Sequence, residues 1–376
     1  MKKLLMSLFA TLTAVSPLLA QQVKDDVQSI ADKYKAVGVA YVVVKNNKII
    51  EKNAIGYSSL ETQEKLDVDK HIFRIASISK SFTATALMQL VEKKIISLED
   101  DCSDLVGFPI RNPKFPDKKI TLKMLLSHTS SINDANGYFE LDVINPSKNP
   151  NWQKSYNDYE PGTKYQYCNL NFNMAGAILE RLTNVRFDQY IRQQILDPLG
   201  LYGGYCIDSL DNTRFASLYS YNQKNDQFVL EPAAYNPRSE DIKNHKLGET
   251  TPIFSPTGGM KISAVDLAKY MIMHMNYGKS GKVKILNKKT SKLMQTKISD
   301  DEGYGLALQE TDKLIPGQHL VGHTGSAYGL YSAMFFNPKT KYGIVVITNG
   351  CVLKYKDGFV AMNAEIINLL YNKLIK

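Results

Sequence analysis

The sequence predicts an α/β fold: an antiparallel sheet drawn from both ends of the chain, flanked by helices, with a mainly helical lobe inserted between its halves. Three observations predict it. Near the start, the β-branched run Val37 to Val44, an Asn46-Asn47 turn and Lys48 to Ala54 read as a hairpin. Near the end, Tyr331 to Phe336 and Gly343 to Thr348 alternate on either side of Asn337-Pro338, a second hairpin. Between them, the long periodic segments have helical spacing. The sheet lobe is expected over about 21–75 and 257–376, and the helical lobe over about 76–256.

The elements follow in order. Residues 1–20 read as an export leader: Lys2 and Lys3, an apolar stretch from Leu4 to Val15, then small and turn residues up to Ala20. Its apolar core is shorter than the roughly 20 residues a membrane span needs. No later segment is long and apolar enough to span. An exported protein with its leader cut after Ala20, periplasmic or secreted, is therefore expected. Val23, Val27, Ile30, Ala31 and Tyr34 then predict a first helix over 23–36. Phe82, Ala86, Leu87, Leu90 and Val91 predict a buried helix over 81–96. Residues 97–165 are rich in Asp, Pro, Asn and Ser. Helical patterns return at 170–183, 188–195 and 264–275, with a polar, irregular stretch at 203–256. A last helix is expected over roughly 358–374.

Composition excludes some functions. The chain has 376 residues, more than the ~250–300 at which a single core stops growing. Its 46 basic and 37 acidic side chains give a charge of +9, but the lysines are scattered and no nucleic-acid motif accompanies them. Cys102, Cys168, Cys206 and Cys351 allow three full pairings, or four reduced thiols, and their spacing does not choose. No His, Cys, Asp and Glu set has metal-ligand spacing, and no phosphate-cradling or dinucleotide loop is present. No cofactor is expected.

Three short segments could carry chemistry. Ser77-Ile78-Ser79-Lys80 occurs just before the predicted buried helix. Ser77 then lies near a helix N-terminus, whose free N–H groups favour a developing oxyanion. Residues three apart are helical neighbours, so Lys80 stands over Ser77. A serine hydroxyl needs a base beside it, and a buried lysine can be one. Tyr167-Cys168-Asn169 offers a tyrosine that could relay a proton if nearby cations lower its pKa. Asn169 carries an amide with both donors and an acceptor. His323-Thr324-Gly325, followed by Ser326, offers a histidine to carry charge or orient a hydroxyl. Its glycine would let a ligand backbone approach. Each segment alone is better read as ordinary structure: a capped helix, a turn, a hairpin. His128, in Ser127-His128-Thr129-Ser130-Ser131, reads as a structural turn histidine.

In their order along the chain, the three segments resemble the penicillin-recognising serine hydrolases. The closest branch holds class C β-lactamases, D-alanyl-D-alanine carboxypeptidases and family VIII esterases. The likeness extends through Phe73 to Phe82, Ile120 to Ser130, Pro161 to Asn169, and Gly258-Gly259-Met260 before Ser263 and Asp266. It implies a β-lactamase/transpeptidase-like fold. It also implies an acyl-enzyme on Ser77, with Lys80 and Tyr167 handling the proton and Asn169 holding the substrate amide. His323, Thr324, Gly325 and Ser326 would line the opposite edge, with the N–H groups of Ser77 and Ser326 as oxyanion hole. Three departures stand out. His323 stands where class C β-lactamases usually have Lys, Cys168 replaces a common Ser, and Ser131 replaces a common Gly. The expected function is an exported serine acyl hydrolase acting on peptides or amides, such as D-amino-acid cell-wall peptides. The alternatives are a small-ester hydrolase, a weak β-lactamase, or a non-catalytic penicillin-binding sensor. The expected partners are small-molecule or peptide substrates, including peptidoglycan peptides and β-lactams, without nucleic acid.

Overall fold

The computed structural model describes residues 16–376. Most of the expected leader therefore lies outside the described residues. Helix α1 (Pro17–Lys33) already contains Ala20, and it begins earlier than the apolar spacing suggests. Ser16 caps it, its hydroxyl accepting from the Leu19 N–H at 3.3 Å, and Pro17 opens the first turn. No described helix is long and apolar enough to cross a membrane.

Strands β1 (Gly38–Lys45) and β2 (Lys48–Ser59) form the first hairpin. Asn46 and Asn47 turn it at φ 51° and 64°, which asparagine tolerates better than most residues. The short β3 (Glu64–Lys65) follows at the sheet edge, then β4 (Phe73–Arg74). Helix α2 (Ser79–Glu92) and helix α3 (Asn169–Thr183) pack against each other in the middle of the chain. Strands β5 (Gly203–Gly204) and β6 (Lys261–Ile262) join β4 in a small sheet of order β4-β6-β5. Helix α4 (Ala264–Met275) leads back to the main sheet. That sheet is completed by β7 (Gln309–Thr311), β8 (Leu320–Ala327), β9 (Leu330–Asn337) and β10 (Tyr342–Thr348). Helix α5 (Ala361–Leu370) closes the fold.

The main sheet has seven antiparallel strands in the order β7-β8-β9-β10-β1-β2-β3, so strands from the two ends of the chain meet where β1 pairs β10. Alternation along these strands sends side chains to opposite faces. Ala40, Val42 and Val44 join Met334, Val345 and Ile347 in the core shared with α4 and the helical middle. Val39, Tyr41 and Val43 join Phe335, Ile344 and Val346 in a second core under α1 and α5. Burial on both faces explains why β1 reads as a continuous apolar run.

The structure adds to the sequence reading in three places. The His323–Ser326 segment, read as preceding a strand, is itself strand, held in β8 by pairing with β9. The irregular stretch 203–256 contains a small hairpin, Tyr219–Asn222 with Gln227–Leu230. The four cysteines are all free and buried.

Candidate active site

The three segments converge on one pocket of about 650 Å³, lined by Ser77, Tyr167, Asn169, His323, Thr324 and Ser326 among others. Ser77 sits in a 3-10 turn, Ala76–Ile78, that runs directly into α2. Ala76 enters the turn at φ 50°, a conformation L residues rarely adopt. β8 crosses directly over it. A Cβ on Gly325 would lie 2.3 Å from the Ile75 carbonyl oxygen and 2.4 Å from Ser332 Oγ, so only glycine fits this crossing. β7 pairs β8 only from Leu320 to Gly322, so from His323 onward β8 has β9 on one side and no strand on the other.

Lys80 is fully buried one turn after Ser77. Its Nζ meets Ser77 Oγ at 3.1 Å, Asn169 Oδ1 at 2.9 Å and the Thr257 carbonyl oxygen at 2.9 Å. Burial pushes its pKa down to about 7, against the opposing charge of Asp134. A neutral amine has two hydrogens and one lone pair. Asn169 Oδ1 and the Thr257 carbonyl can only accept. They take the two hydrogens, and the lone pair is left facing the Ser77 hydroxyl.

Tyr167 lies with its ring under the Lys80 amine, Nζ to ring centroid 4.7 Å. Burial raises its pKa, and the nearby Ser77 only partly opposes this. The expectation of a tyrosine acidified by neighbouring cations is thus corrected: the amine meets the ring face, and Tyr167 is a neutral phenol. Of the two roles offered for His323, carrying charge and orienting a hydroxyl, the geometry fits the second. Its Nδ1 lies 2.5 Å from the Thr324 carbonyl oxygen, an acceptor, so Nδ1 carries the proton. Its Nε2 accepts from the Tyr304 hydroxyl at 2.8 Å. Burial, followed by the Lys80 charge, pushes its pKa down to about 3. It orients a hydroxyl and carries no charge near neutrality.

Asp134, Thr257 and Tyr304 were missed by sequence reasoning. Asp134 comes from the loop after Ile132. Its Oδ2 accepts from the Asn169 N–H at 2.8 Å and from Asn169 Nδ2 at 3.0 Å. Its Oδ1 accepts from the Leu170 N–H at 2.9 Å and from Cys168 Sγ at 3.2 Å. The one legible hint was negative: α3 has no capping side chain at Cys168 and no acid in its first turn, so its N–H groups need an outside acceptor. Thr257 donates its hydroxyl to Asn169 Oδ1 at 2.8 Å.

His128 is fully buried against the Tyr167 ring, with ring centroids 4.3 Å apart. Its Nδ1 accepts from the Cys168 N–H at 3.1 Å, which ties the Tyr167–Asn169 segment in place. Ser131 stands at φ 61°, a conformation that glycine adopts more readily than serine; its Oγ accepts from Asn112 Nδ2 at 2.9 Å.

Fold and geometry together define a class: α/β proteins with a serine on the floor of a pocket, a buried lysine hydrogen-bonded to it, and a strand edge above. A family model described as Beta-lactamase matches residues 19–357, and the chain belongs to that family, whose members are typically serine hydrolases. It is 25% identical over 352 residues to Protein flp of Staphylococcus aureus (strain MRSA252), covering 88% of this chain and 62% of that protein. The chain thus spans a little over three fifths of that relative. Among solved structures, EstCE1, "a hydrolase with promiscuous acyltransferase activity", matches with a TM-score of 0.73 at 20% identity, over 94% of this chain and all of that one. The D-amino acid amidase from Ochrobactrum anthropi SV3, complexed with D-phenylalanine, matches with a TM-score of 0.69 at 19% identity, over 94% of this chain and 99% of that one.

Proposed function

We propose that this protein is a serine acyl hydrolase that forms an acyl-enzyme on Ser77, with peptides or amides of D-amino acids as its main substrates and small esters as secondary ones. The observation that carries the reading is the Lys80 amine, whose lone pair faces Ser77 Oγ at 3.1 Å. Lys80 takes the hydroxyl proton as Ser77 Oγ attacks the substrate carbonyl carbon. The resulting oxyanion is held by the N–H groups of Ser77 and Ser326. As the carbon–nitrogen bond breaks, Tyr167 passes the proton from Lys80 to the departing amine. Water, deprotonated along the same path, then cleaves the ester and restores Ser77.

The second hydrogen of Asn169 Nδ2 serves the substrate carbonyl, the first being held by Asp134. His323 offers no fixed charge to a β-lactam carboxylate, which weighs against a dedicated β-lactamase. The likenesses to an amidase acting on D-amino acids and to a hydrolase with acyltransferase activity point the same way.

A panel of a D-Ala-D-Ala peptide, a D-amino-acid amide, a p-nitrophenyl ester and nitrocefin tests the reading. Turnover of amide or peptide and of ester, with slow nitrocefin release, is expected. Efficient nitrocefin hydrolysis alone would overturn it. Export belongs to the same proposal. Cleavage after Ala20 removes only the start of α1 and leaves Val23, Val27 and Ala31 in the core. Mass spectrometry of the native protein should find Gln21 first; an intact Met1 would refute export.

A further inference from the structure

We infer that Asp134 is the positioning residue of this site: it locks the Asn169 amide in the one orientation that points Oδ1 at Lys80. The inference rests on the acyl-hydrolase reading above and adds a residue that none of the three segments contains. A side-chain amide can be turned end for end at little cost unless its neighbours forbid it. Here both ends are specified. Asn169 Nδ2 meets an acceptor, Asp134 Oδ2, at 3.0 Å, and Asn169 Oδ1 meets two donors, Lys80 Nζ at 2.9 Å and Thr257 Oγ1 at 2.8 Å. Turned over, the amide would set its NH₂ against the Lys80 amine and the Thr257 hydroxyl, and its oxygen against a carboxylate.

The same carboxylate holds the backbone. It accepts from the N–H groups of Asn169 and Leu170, where α3 lacks a cap of its own. One side chain thus sets both where Asn169 starts and which way its amide faces. Asn169 Oδ1 in turn takes one of the two Lys80 hydrogens, which aims the lone pair at Ser77. Asp134 touches neither Ser77 nor Lys80, so it acts through Asn169.

Its charge adds a second, readable effect. Around Lys80 stand Asp134, whose charge raises the lysine pKa against burial, the neutral Cys168 thiol, the Tyr167 ring, and His128 and His323, both held neutral by burial. Asp134 also raises Tyr138, Tyr167 and Cys168. Removing the negative charge therefore lowers the Lys80 pKa further.

The test is Asp134→Asn in the full-length protein, with Asp134→Glu and Asn169→Ala beside it. Asp134→Asn should lower kcat/KM for a p-nitrophenyl ester by about 10²-fold, the usual cost of a misplaced catalytic group. It should also move the acid limb of the pH profile to lower pH. Asp134→Glu keeps the charge, so the rate should fall while the limb stays. On the plateau above the acid limb, the double variant Asp134→Asn/Asn169→Ala should lose less than the product of the two single losses, since the amide contact of Asp134 works through Asn169. An unmoved acid limb together with additive losses would overturn the inference. Should Asp134→Asn fail to fold, as judged by thermal melting, Asp134→Glu carries the test: a rate within about threefold of wild type overturns it. Both results leave the acyl-hydrolase reading standing, because that reading falls only if the wild type is inactive or Ser77 is dispensable.

Discussion

Lys80 Nζ lies 3.1 Å from Ser77 Oγ, and its two other contacts are oxygens that can only accept. The amine is therefore arranged as a base, and its pKa of about 7 sets when it works. Below that pH the amine is protonated and its lone pair is gone. The ratio kcat/KM should climb as pH rises through about 7 and then level. Lys80→Ala should lower acylation by roughly 10²–10⁴-fold, the usual worth of a general base. His323→Gln should leave the limb in place, because His323 is neutral across this range. A limb that survives in Lys80→Ala but vanishes in His323→Gln would reverse the assignment. The ordinary histidine value would have put a limb at roughly 6–7 on His323; burial removes it.

Gly325 passes so close to the Ser77 turn that a methyl group has no room. Ile75 O and Ser332 Oγ stand 2.3 and 2.4 Å from where it would be. The first of these is backbone, so β8 itself must move. Gly325→Ala should destabilise the fold by about 1–3 kcal/mol, as overpacking does. It should also slow acylation more than tenfold, because Ser326 moves with the strand. Thermal melting and a single-turnover acylation assay would check both. Wild-type values for the pair would mean the crossing is looser than described.

Tyr167 is a neutral phenol beside Ser77, suited to passing a proton to a leaving group. A departing amine needs that proton; p-nitrophenolate does not. Tyr167→Phe should therefore lower kcat for a D-amino-acid amide by roughly 10²–10⁴-fold and for a p-nitrophenyl ester by much less. Equal losses on both substrates would assign Tyr167 to proton removal from Ser77 instead.

The legible parts of this protein were local. Val37 to Val44 announced itself as a strand by its β-branched, apolar run, and Gly343 to Thr348 by its place after the Asn337-Pro338 turn in a second hairpin. Ser77 and Lys80 were legible because three residues of helix bring them together. The β8 segment His323–Ser326 was not legible as a strand: its small, polar residues have little β-propensity, and pairing with β9 makes it one. Asp134 was invisible for a related reason. It reaches Asn169 across 35 residues of loop and short helix, and no periodicity links them. The charge states of His323 and Tyr167 depend on burial, which neighbours in space determine. The cysteine question was open for the same reason and closes with four free, buried thiols.

The most direct test of the account is whether Ser77 becomes covalently acylated. Intact-protein mass spectrometry after incubation with a penicillin, and separately with a fluorophosphonate, should show one adduct per chain. Peptide mapping should place it on Ser77, and the adduct should be absent from Ser77→Ala. An adduct on another residue, or one that persists unchanged in Ser77→Ala, would contradict the account.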